Sequence, residues 1–326
     1  QQYLDHYDTT VDAVTRILPD VRIGPGNILN PVEGEYSTQH KNLWGVDIID
    51  HCATGRNART GENGTKMDWF SCSWYGRVGS PLSMFDKAVG IMRDRLGRYA
   101  PLADVPICIG EFAVLHDENG TRLFSGEATE WGASFYAGIA DRVYHHGVEK
   151  VYEWHHATDG VLHPKGHVIA MLERMAGGKR LAVSPALSAD RDRGVIASRQ
   201  DDALYLLAYR HTTARKGGPK QTFTITVDAA DLAADQLTEW TVDKTHAAWV
   251  RTFDEDCRAA GWYEGGIEKA YGRRGLPVWR ANRERCATLS TLPETQDTEV
   301  AVDDGQVTLT VPMTGHCVRL LRLPVA

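Results

Sequence analysis

The first 178 residues alternate between amphipathic helix patterns and short apolar strand patterns, and this alternation is the strongest constraint on the fold. In the first helix pattern, apolar and aromatic side chains recur every three or four residues from Tyr3 to Leu18, and Pro19 ends it. The run from Val105 to Gly110 is apolar on both faces, as in a strand that is buried on both sides. Four strand patterns and five helix patterns of this kind predict a parallel sheet covered by helices.

After Arg180 the pattern changes to short segments that are rich in Val, Thr and Leu. These segments predict an antiparallel β-sandwich of about 145 residues, so the chain is expected to divide into domains at residues 1–179 and 180–326. The stretch from Asp254 to Leu289 has no clear period and is predicted to be a long excursion from the sandwich. The predicted strands are Ala203 to Tyr209, Thr222 to Val227, Glu239 to Asp243, Gln306 to Val311 and Cys317 to Leu323.

Composition and charge exclude several classes of protein. The chain has 36 Lys and Arg against 43 Asp and Glu, and a net charge of -7 disfavours binding to nucleic-acid phosphates. No apolar run approaches the roughly 20 residues of a membrane span. There is no dinucleotide fingerprint, phosphate-binding loop, His-Glu-x-x-His or Gly-x-Ser-x-Gly motif, so we expect no cofactor.

Cysteines and glycosylation motifs bear on the location of the protein. The six cysteines lack metal-binding spacing, but Cys257 and Cys286 could form a disulfide in an exported chain. Sequons at Asn63 and Asn119 have meaning only in a eukaryotic secretory pathway. These features favour a secreted or periplasmic protein and leave a cytoplasmic location open. The chain begins at Gln1 inside a helix pattern, which predicts a processed or partial chain.

Glu111 is the first candidate catalytic residue because it ends the apolar run that begins at Pro106. A carboxylate inside a buried strand is costly, so it should lie where the strand opens to solvent. In a parallel barrel that place is the carboxyl-terminal mouth, where active sites are built. The alternative is a structural Glu111 that pairs with a neighbouring Arg or Lys.

A second polar cluster follows the strand from Val148, and it contains Glu153, Trp154, His155 and Asp159. We expect these side chains to form a hydrogen-bonding wall beside an aromatic surface. With His156, the cluster has a His-His-x-x-Asp pattern that would suit a metal ion. Adjacent histidines on a strand point to opposite sides, however, which disfavours chelation of one ion.

Trp74 and Tyr75 end the predicted strand that begins at Met67, just as Glu111 ends the apolar run from Pro106. Exposed aromatic rings at a barrel mouth stack on the apolar face of a sugar ring, so we expect both to bind substrate. Either ring taken alone could also belong to the core.

A set of short motifs stands in a defined order along the chain and resembles glycoside hydrolase family 39, the β-xylosidase and α-L-iduronidase group of retaining (β/α)8 hydrolases. The resemblance implies that Glu111 is the nucleophile at the end of barrel strand 7, and that Trp154 and Asp159 line the sugar pocket. Ser73 stands at a position where members of the family frequently have His. Because of this difference, the resemblance does not identify the substrate. The motifs are Tyr3-Leu-x-x-Tyr-x-x-Thr-x-x-Ala-Val14, Pro19-Asp-Val-Arg-Ile-Gly24, Met67-Asp-Trp-Phe-Ser-Cys-Ser-Trp-Tyr75, Pro106-Ile-Cys-Ile-Gly-Glu-Phe112, Tyr152-Glu-Trp154 and Trp240-Thr-Val-Asp-Lys-Thr-His246.

The Asn-Glu-Pro motif that carries the family's acid/base Glu is absent from these residues. The resemblance therefore implies that the chain holds barrel strands 5 to 8, the C-terminal half of the barrel, and that the acid/base Glu lies outside it. Within the chain, Glu153 is the alternative second carboxylate. Half a barrel leaves apolar edge strands that aggregate unless covered, so we expect a missing N-terminal half-barrel, as a segment or a separate chain, in the folded protein. A homo-oligomer is also possible.

The function predicted from the sequence is a retaining glycoside hydrolase that cleaves O-glycosidic bonds of an oligo- or polysaccharide through a glycosyl intermediate on Glu111. One alternative is a catalytically silent glycan-binding or assembly protein on the same scaffold. Another is a metal-dependent hydrolase that uses His155, His156 and Asp159. The sugar, the linkage and endo or exo action stay open.

Overall fold

The structure is a computed structural model, and it describes residues 1–29, 46–116, 128–154, 156–185, 192–214, 216–228, 231–259, 261 and 275–326.

The chain forms two compact units. The first unit consists of Gln1–Tyr75, Ser83–Ala113 and Arg142–Trp154. The second consists of Gly76–Leu82, Val114–Asp141 and His155–Ala326. The domain division predicted at residue 180 stays a prediction.

A four-stranded sheet carries the candidate site, with the strand order β1-β2-β3-β4. The β1–β2 and β3–β4 pairs are parallel, and helices alternate with the strands as predicted. The strands are β1 (Ile28–Leu29), β2 (Phe70–Arg77), β3 (Ile107–His116) and β4 (Lys150–Glu153). The helices of this part are α1 (Gln2–Ile17), α2 (Val46–Thr54), α3 (Ser83–Leu96), α4 (Glu130–His145) and α5 (Pro164–Arg174), and two short strands, β5 (Ala157–Thr158) and β6 (Val161–Leu162), precede α5.

The first of the four strand patterns in the sequence, Val21 to Gly24, predicts a strand, and this prediction is wrong. The first strand of the sheet is Ile28–Leu29, which pairs with Cys72 and Ser73. Ile23 instead lies against Asp68, whose carboxylate accepts the Ile23 amide at 2.8 Å. Two apolar residues, one on either side of Arg22, are too short a pattern to locate a strand along the chain.

Helix α1 is anchored through a buried carboxylate, Asp8. Its Oδ1 accepts hydrogen bonds from Thr65 Oγ1 at 2.6 Å and His51 Nε2 at 2.8 Å, and its Oδ2 accepts the Ala58 amide at 2.7 Å. Burial alone would raise the pKa of Asp8, but these hydrogen bonds outweigh burial and lower it below its usual value. The charged form is therefore the one that the fold stabilises.

The second unit contains a six-stranded sheet in the order β12-β11-β15-β9-β8-β7 and a three-stranded sheet in the order β10-β14-β13, and the pairs within them are antiparallel. Apolar side chains from both sheets form a single core cluster, which includes Leu206, Leu309 and Leu321. The strands are β7 (Lys179–Leu181), β8 (Arg193–Arg199), β9 (Ala203–Arg210), β10 (Gln221–Asp228), β11 (Thr238–Val242), β12 (Glu294–Thr295), β13 (Glu299–Asp303), β14 (Gln306–Met313) and β15 (Cys317–Pro324).

The excursion predicted near Asp254 to Leu289 contains two helices, α6 (Trp249–Ala259) and α7 (Gly275–Leu289). They share a core cluster of their own, built on Trp249, Phe253 and Trp279. Cys257 and Cys286 lie in this cluster as free, buried thiols rather than as the disulfide considered for an exported chain. The stretch lacks one period because its two helices have separate apolar faces. No helix in the described part of the chain has the length and apolar character needed to cross a membrane.

Candidate active site

Glu111 lies on β3 and is bound by two hydroxyl groups from the neighbouring strand β2. Ser73 Oγ donates to Glu111 Oε2 at 3.3 Å, and the Tyr75 hydroxyl also hydrogen-bonds the carboxylate. Burial and the Glu111 carboxylate together raise the pKa of Tyr75 to about 12. Tyr75 therefore remains a protonated donor at neutral pH, and the Glu111 carboxylate has a fixed orientation.

A register shift in β3 aims Glu111 toward these hydroxyls. Ile109 pairs with Val151 of β4 and Phe112 pairs with Glu153, so one extra residue of β3 is accommodated between these pairs. Strict alternation would place Glu111 on the same face as Ile109, which is fully buried. The shift moves Glu111 to the Ser73 face instead, as β-bulges beside active sites do.

Gly110 allows a loop side chain to approach the same face of the sheet. A Cβ atom added at Gly110 would lie 1.9 Å from Asn27 Oδ1 and 2.7 Å from Ser71 Oγ. Ser71 Oγ donates to Asn27 Oδ1 at 2.9 Å, so the amide fills the space beside the glycine. Asn27, Ser71 and Ser73 thus line the face to which Glu111 points.

We expect Gly110→Ala to destabilise the fold by about 1 to 3 kcal/mol and to displace Asn27, because the new methyl group overlaps its amide oxygen. The matched control is Gly90→Ala in α3, where an added Cβ meets no atom within 4 Å. A Gly to Ala change inside a helix should raise stability by about 0.5 to 1 kcal/mol. Urea unfolding followed by circular dichroism measures both, and an equal shift in both variants would contradict the prediction.

The predicted sugar-binding role of Trp74 is corrected by its position. Its side chain is 2% exposed, and its ring stacks on Phe112 at 5.7 Å and meets Phe85 edge-on at 5.1 Å. Successive strand residues face opposite sides, so Ser73 and Tyr75 point to the Glu111 side while Trp74 packs in the core. Tyr75 is half-buried at the edge of the candidate site.

The end of β4 brings two further candidates to different sides of the sheet. Glu153 pairs with Phe112, so it belongs to the face on which Phe112 and Trp74 pack. The register therefore does not bring Glu153 to the face of Glu111. Trp154 follows it, donates its amide to the Phe112 carbonyl at 3.0 Å and is 53% exposed. Because successive side chains of a strand point to opposite faces, Trp154 belongs to the same face as Glu111.

The predicted His155–His156–Asp159 cluster is described only in part, because His155 lies outside the described residues. His156 is exposed, and its carbonyl accepts the His163 amide at 2.9 Å. Asp159 is exposed, and its Oδ2 accepts a hydrogen bond from Trp279 Nε1 at 2.6 Å, so a helix engages one oxygen of this carboxylate. Among the residues that the structure describes, no group of three His, Cys, Asp or Glu side chains is placed to hold a metal ion.

Sequence reasoning missed the roles of Ser73 and Asn27. Ser73 entered only as a departure from the family motif, although it stands two positions before Tyr75 and so shares its face. Asn27 lies in a Gly-Pro-Gly loop that carries no periodic signal, and only the close approach at Gly110 reveals it.

Comparison with known proteins finds a distant relative in sequence and several likenesses in fold. No family model matches the chain. A segment of 108 residues, 33% of this chain, is 25% identical to α-L-iduronidase of Mus musculus and covers 16% of that protein.

Solved structures match nearly the whole chain. A bacterial orthologue of human α-L-iduronidase matches 99% of it with a TM-score of 0.64 and 15% identity, over 58% of that structure. A family 39 enzyme from Xanthomonas axonopodis pv. citri matches 99% with a TM-score of 0.64 and 11% identity, over 64% of its length. A family 39 β-xylosidase from Caulobacter crescentus matches 98% with a TM-score of 0.59 and 15% identity, over 61% of its length. These likenesses confirm the resemblance to family 39 in fold, and the chain spans less than two thirds of each of these relatives.

Proposed function

We propose that this chain carries the nucleophile of a retaining glycoside hydrolase, and that Glu111 is that nucleophile. The observation that supports it is the Glu111 carboxylate, aimed by a register shift onto a polar sheet face and held there by Ser73 and Tyr75. A carboxylate on a parallel strand, directly before its last residue paired with β4, with two hydroxyl donors and partial exposure, is positioned to attack a bound sugar.

In the proposed reaction, a Glu111 oxygen attacks the anomeric carbon while the bond to the leaving-group oxygen breaks and that oxygen receives a proton. Water then attacks the anomeric carbon while its bond to the Glu111 oxygen breaks, the group that protonated the leaving oxygen takes the water proton, and the sugar leaves with its original configuration. The hydroxyls of Ser73 and Tyr75 bind the same carboxylate and set its orientation. Because the pKa of Tyr75 is about 12, its proton stays in place throughout the neutral range.

The proton donor is proposed to come from a segment outside this chain. A retaining enzyme needs a second carboxyl group about 5 to 5.5 Å from the first. Glu153 shares the face of Phe112 rather than that of Glu111, which argues against the in-chain alternative. The proposal includes a (β/α)8 barrel of which this chain supplies strands 5 to 8, followed by a β-sandwich in residues 180–326.

The sugar is proposed to stack on Trp154, whose exposed ring lies on the Glu111 side of β4. Two of the matched proteins are named as an α-L-iduronidase and a β-xylosidase. Iduronides and xylosides are therefore the first substrates to test.

The deciding experiment is covalent trapping of the intermediate. A 2-deoxy-2-fluoro sugar slows both steps, while a 2,4-dinitrophenyl leaving group needs little protonation and so tests the nucleophile without its acid partner. With 2,4-dinitrophenyl 2-fluoro-β-xyloside or 2-fluoro-α-L-iduronide, we expect the mass of the chain to increase by one sugar. Peptide mapping should place that sugar on Glu111.

A label on another residue would reject Glu111 as the nucleophile. Sugar binding with neither label nor turnover would support the silent glycan-binding alternative. If the acid partner lies outside the chain, the chain alone should hydrolyse the 2,4-dinitrophenyl xyloside far faster than the phenyl xyloside, because only the second needs a proton donor.

A further inference from the structure

Asn27 is placed beside the candidate nucleophile by the register of the parallel sheet. Strand β1 begins directly after Asn27 and pairs with β2, and this register brings Asn27 next to Ser71. Ser71 and Ser73 are two positions apart on β2, so they share one face of the strand. Asn27 therefore approaches the face on which Ser73 binds Glu111.

The Ser71 hydroxyl fixes the orientation of the Asn27 amide. Ser71 is 1% exposed, and its Oγ donates to Asn27 Oδ1 at 2.9 Å. A buried hydroxyl that loses its hydrogen-bond partner keeps the full cost of its lost hydration. The fold therefore favours the arrangement in which Oδ1 faces Ser71, although Asn27 itself is exposed.

The same amide packs against Gly110, the residue directly before Glu111. A Cβ atom added at Gly110 would lie 1.9 Å from Asn27 Oδ1 and 2.8 Å from Asn27 Cγ. The φ angle of Gly110 lies outside the left-handed region. Glycine is therefore required at this position by the space that the amide occupies and not by the backbone angle.

Gly110 also lies within the register shift that aims Glu111. Ile109 and Phe112 are the paired residues on either side of this shift. Residues within a bulge leave the regular ladder of sheet hydrogen bonds, so side-chain packing contributes more to the position of their backbone. The Asn27 amide supplies such packing at Gly110.

We propose that Asn27 is a positioning residue for Glu111. Its amide, fixed by Ser71, supports the Gly110 backbone and so holds the Glu111 carboxylate in the direction needed for attack. A misplacement of about 1 Å can cost on the order of a hundredfold in rate, so this support matters for the reaction. The inference rests on the proposed glycosidase function.

A double-mutant cycle tests the packing and requires no activity. Gly110→Ala alone should lower the urea midpoint, because its methyl group overlaps Asn27 Oδ1. In an Asn27→Ala background that oxygen is absent and the Ser71 hydroxyl can rotate away, so the fall caused by Gly110→Ala should be at most about half as large. Gly90→Ala on α3 is the control, because it should shift the midpoint equally in both backgrounds. Equal falls for Gly110→Ala in both backgrounds would overturn the inference.

Covalent labelling by the 2,4-dinitrophenyl 2-fluoro glycoside measures the attack by Glu111 directly. In Asn27→Ala, we expect the maximal labelling rate to fall by about tenfold or more, while the half-saturating concentration of the reagent stays within about threefold. A purely structural loss would lower the fraction of molecules that can be labelled rather than the rate constant.

Two further variants complete the labelling experiment. Adding Gly110→Ala to Asn27→Ala should raise the labelling rate by at least about threefold, because the new methyl group occupies space that the amide leaves. Asn282→Ala on α7 is the matched control, because Asn282 Nδ2 donates to the Val278 carbonyl of its own helix at 3.0 Å. It should label at the wild-type rate.

An unchanged maximal rate in Asn27→Ala would overturn the positioning role, whether or not the half-saturating concentration rises. If the wild type is not labelled at Glu111, the proposed function fails separately. Hydrogen exchange of residues 109–113, followed by mass spectrometry, then decides the inference. Exchange at least about tenfold faster in Asn27→Ala, with no change in Asn282→Ala, would support the hold on this segment, and unchanged exchange would overturn it.

Discussion

Glu111→Gln should lower hydrolysis of 2,4-dinitrophenyl β-xyloside, or of the iduronide if that is the substrate, by at least about a thousandfold. The amide has nearly the same shape as the carboxylate and can still accept the Ser73 hydroxyl, but it is a poor nucleophile. The circular dichroism spectrum and urea midpoint should therefore match those of the wild type. The same loss is expected for Glu111→Ala.

The control for this prediction is Glu149→Gln. Glu149 lies in the first unit, directly before strand β4. Its carboxylate pairs with the exposed Arg22 at 3.4 Å. We expect its activity to stay within about twofold of the wild type, since an exposed ion pair contributes little. Undiminished turnover in Glu111→Ala would remove Glu111 from the mechanism.

A further test distinguishes loss of the nucleophile from indirect damage. In Glu111→Ala, the space left by the carboxylate can admit a small anion such as azide. Azide should restore turnover of the 2,4-dinitrophenyl glycoside and yield a glycosyl azide of inverted configuration, because a single displacement replaces the double displacement. A variant that is inactive through misfolding would show neither effect.

The largest stability effect is expected at the buried ion pair between Glu239 on β11 and Arg319 on β15. Their side chains are 1% and 2% exposed, and they contact each other directly. Glu239 Oε2 also accepts the amides of Asp297 and Thr298, each at 3.1 Å. Glu239→Met should lower the free energy of unfolding by about 3 to 5 kcal/mol, because it leaves the Arg319 charge buried without its main partner.

Asp297→Asn is the matched control, since Asp297 binds the same Arg319 at 3.1 Å but is 49% exposed. Asp297→Asn should lower the free energy of unfolding by no more than about 1 kcal/mol, because water can solvate the side chain at this exposed position. The double change Glu239→Met with Arg319→Met should recover much of the loss, as apolar replacement of a whole buried pair often does. Urea unfolding measures all three, and equal losses for Glu239→Met and Asp297→Asn would contradict the argument.

Much of the architecture followed from local patterns. The helix pattern from Tyr3 corresponds to α1, and the apolar run before Glu111 lies in β3. The segments rich in Val, Thr and Leu correspond to β9, β10, β11, β14 and β15. Such patterns succeed because a residue's periodic exposure is set by the geometry of its own helix or strand.

The site was less predictable, because it depends on which face each side chain occupies. Trp74 and Tyr75 are adjacent in sequence and carried the same prediction, yet one ring packs in the core and the other binds Glu111. Asp159 was expected to face substrate, and its carboxylate binds an indole from a helix more than a hundred residues later in the chain. Neither outcome has a local signal in the sequence.

The sequence by itself determined much of the order of helices and strands, the place of Glu111 directly after a buried apolar run and the likeness to family 39, although β3 continues past Glu111 to His116. Only the tertiary structure decided the direction of Glu111, since the register shift between Ile109 and Phe112 depends on pairing with β4. It also decided that Ser73 and Tyr75 bind the carboxylate and that Trp279 holds the Asp159 turn. The physical reason is that strand register and helix docking are set by partners distant in sequence, whereas periodicity is set by near neighbours.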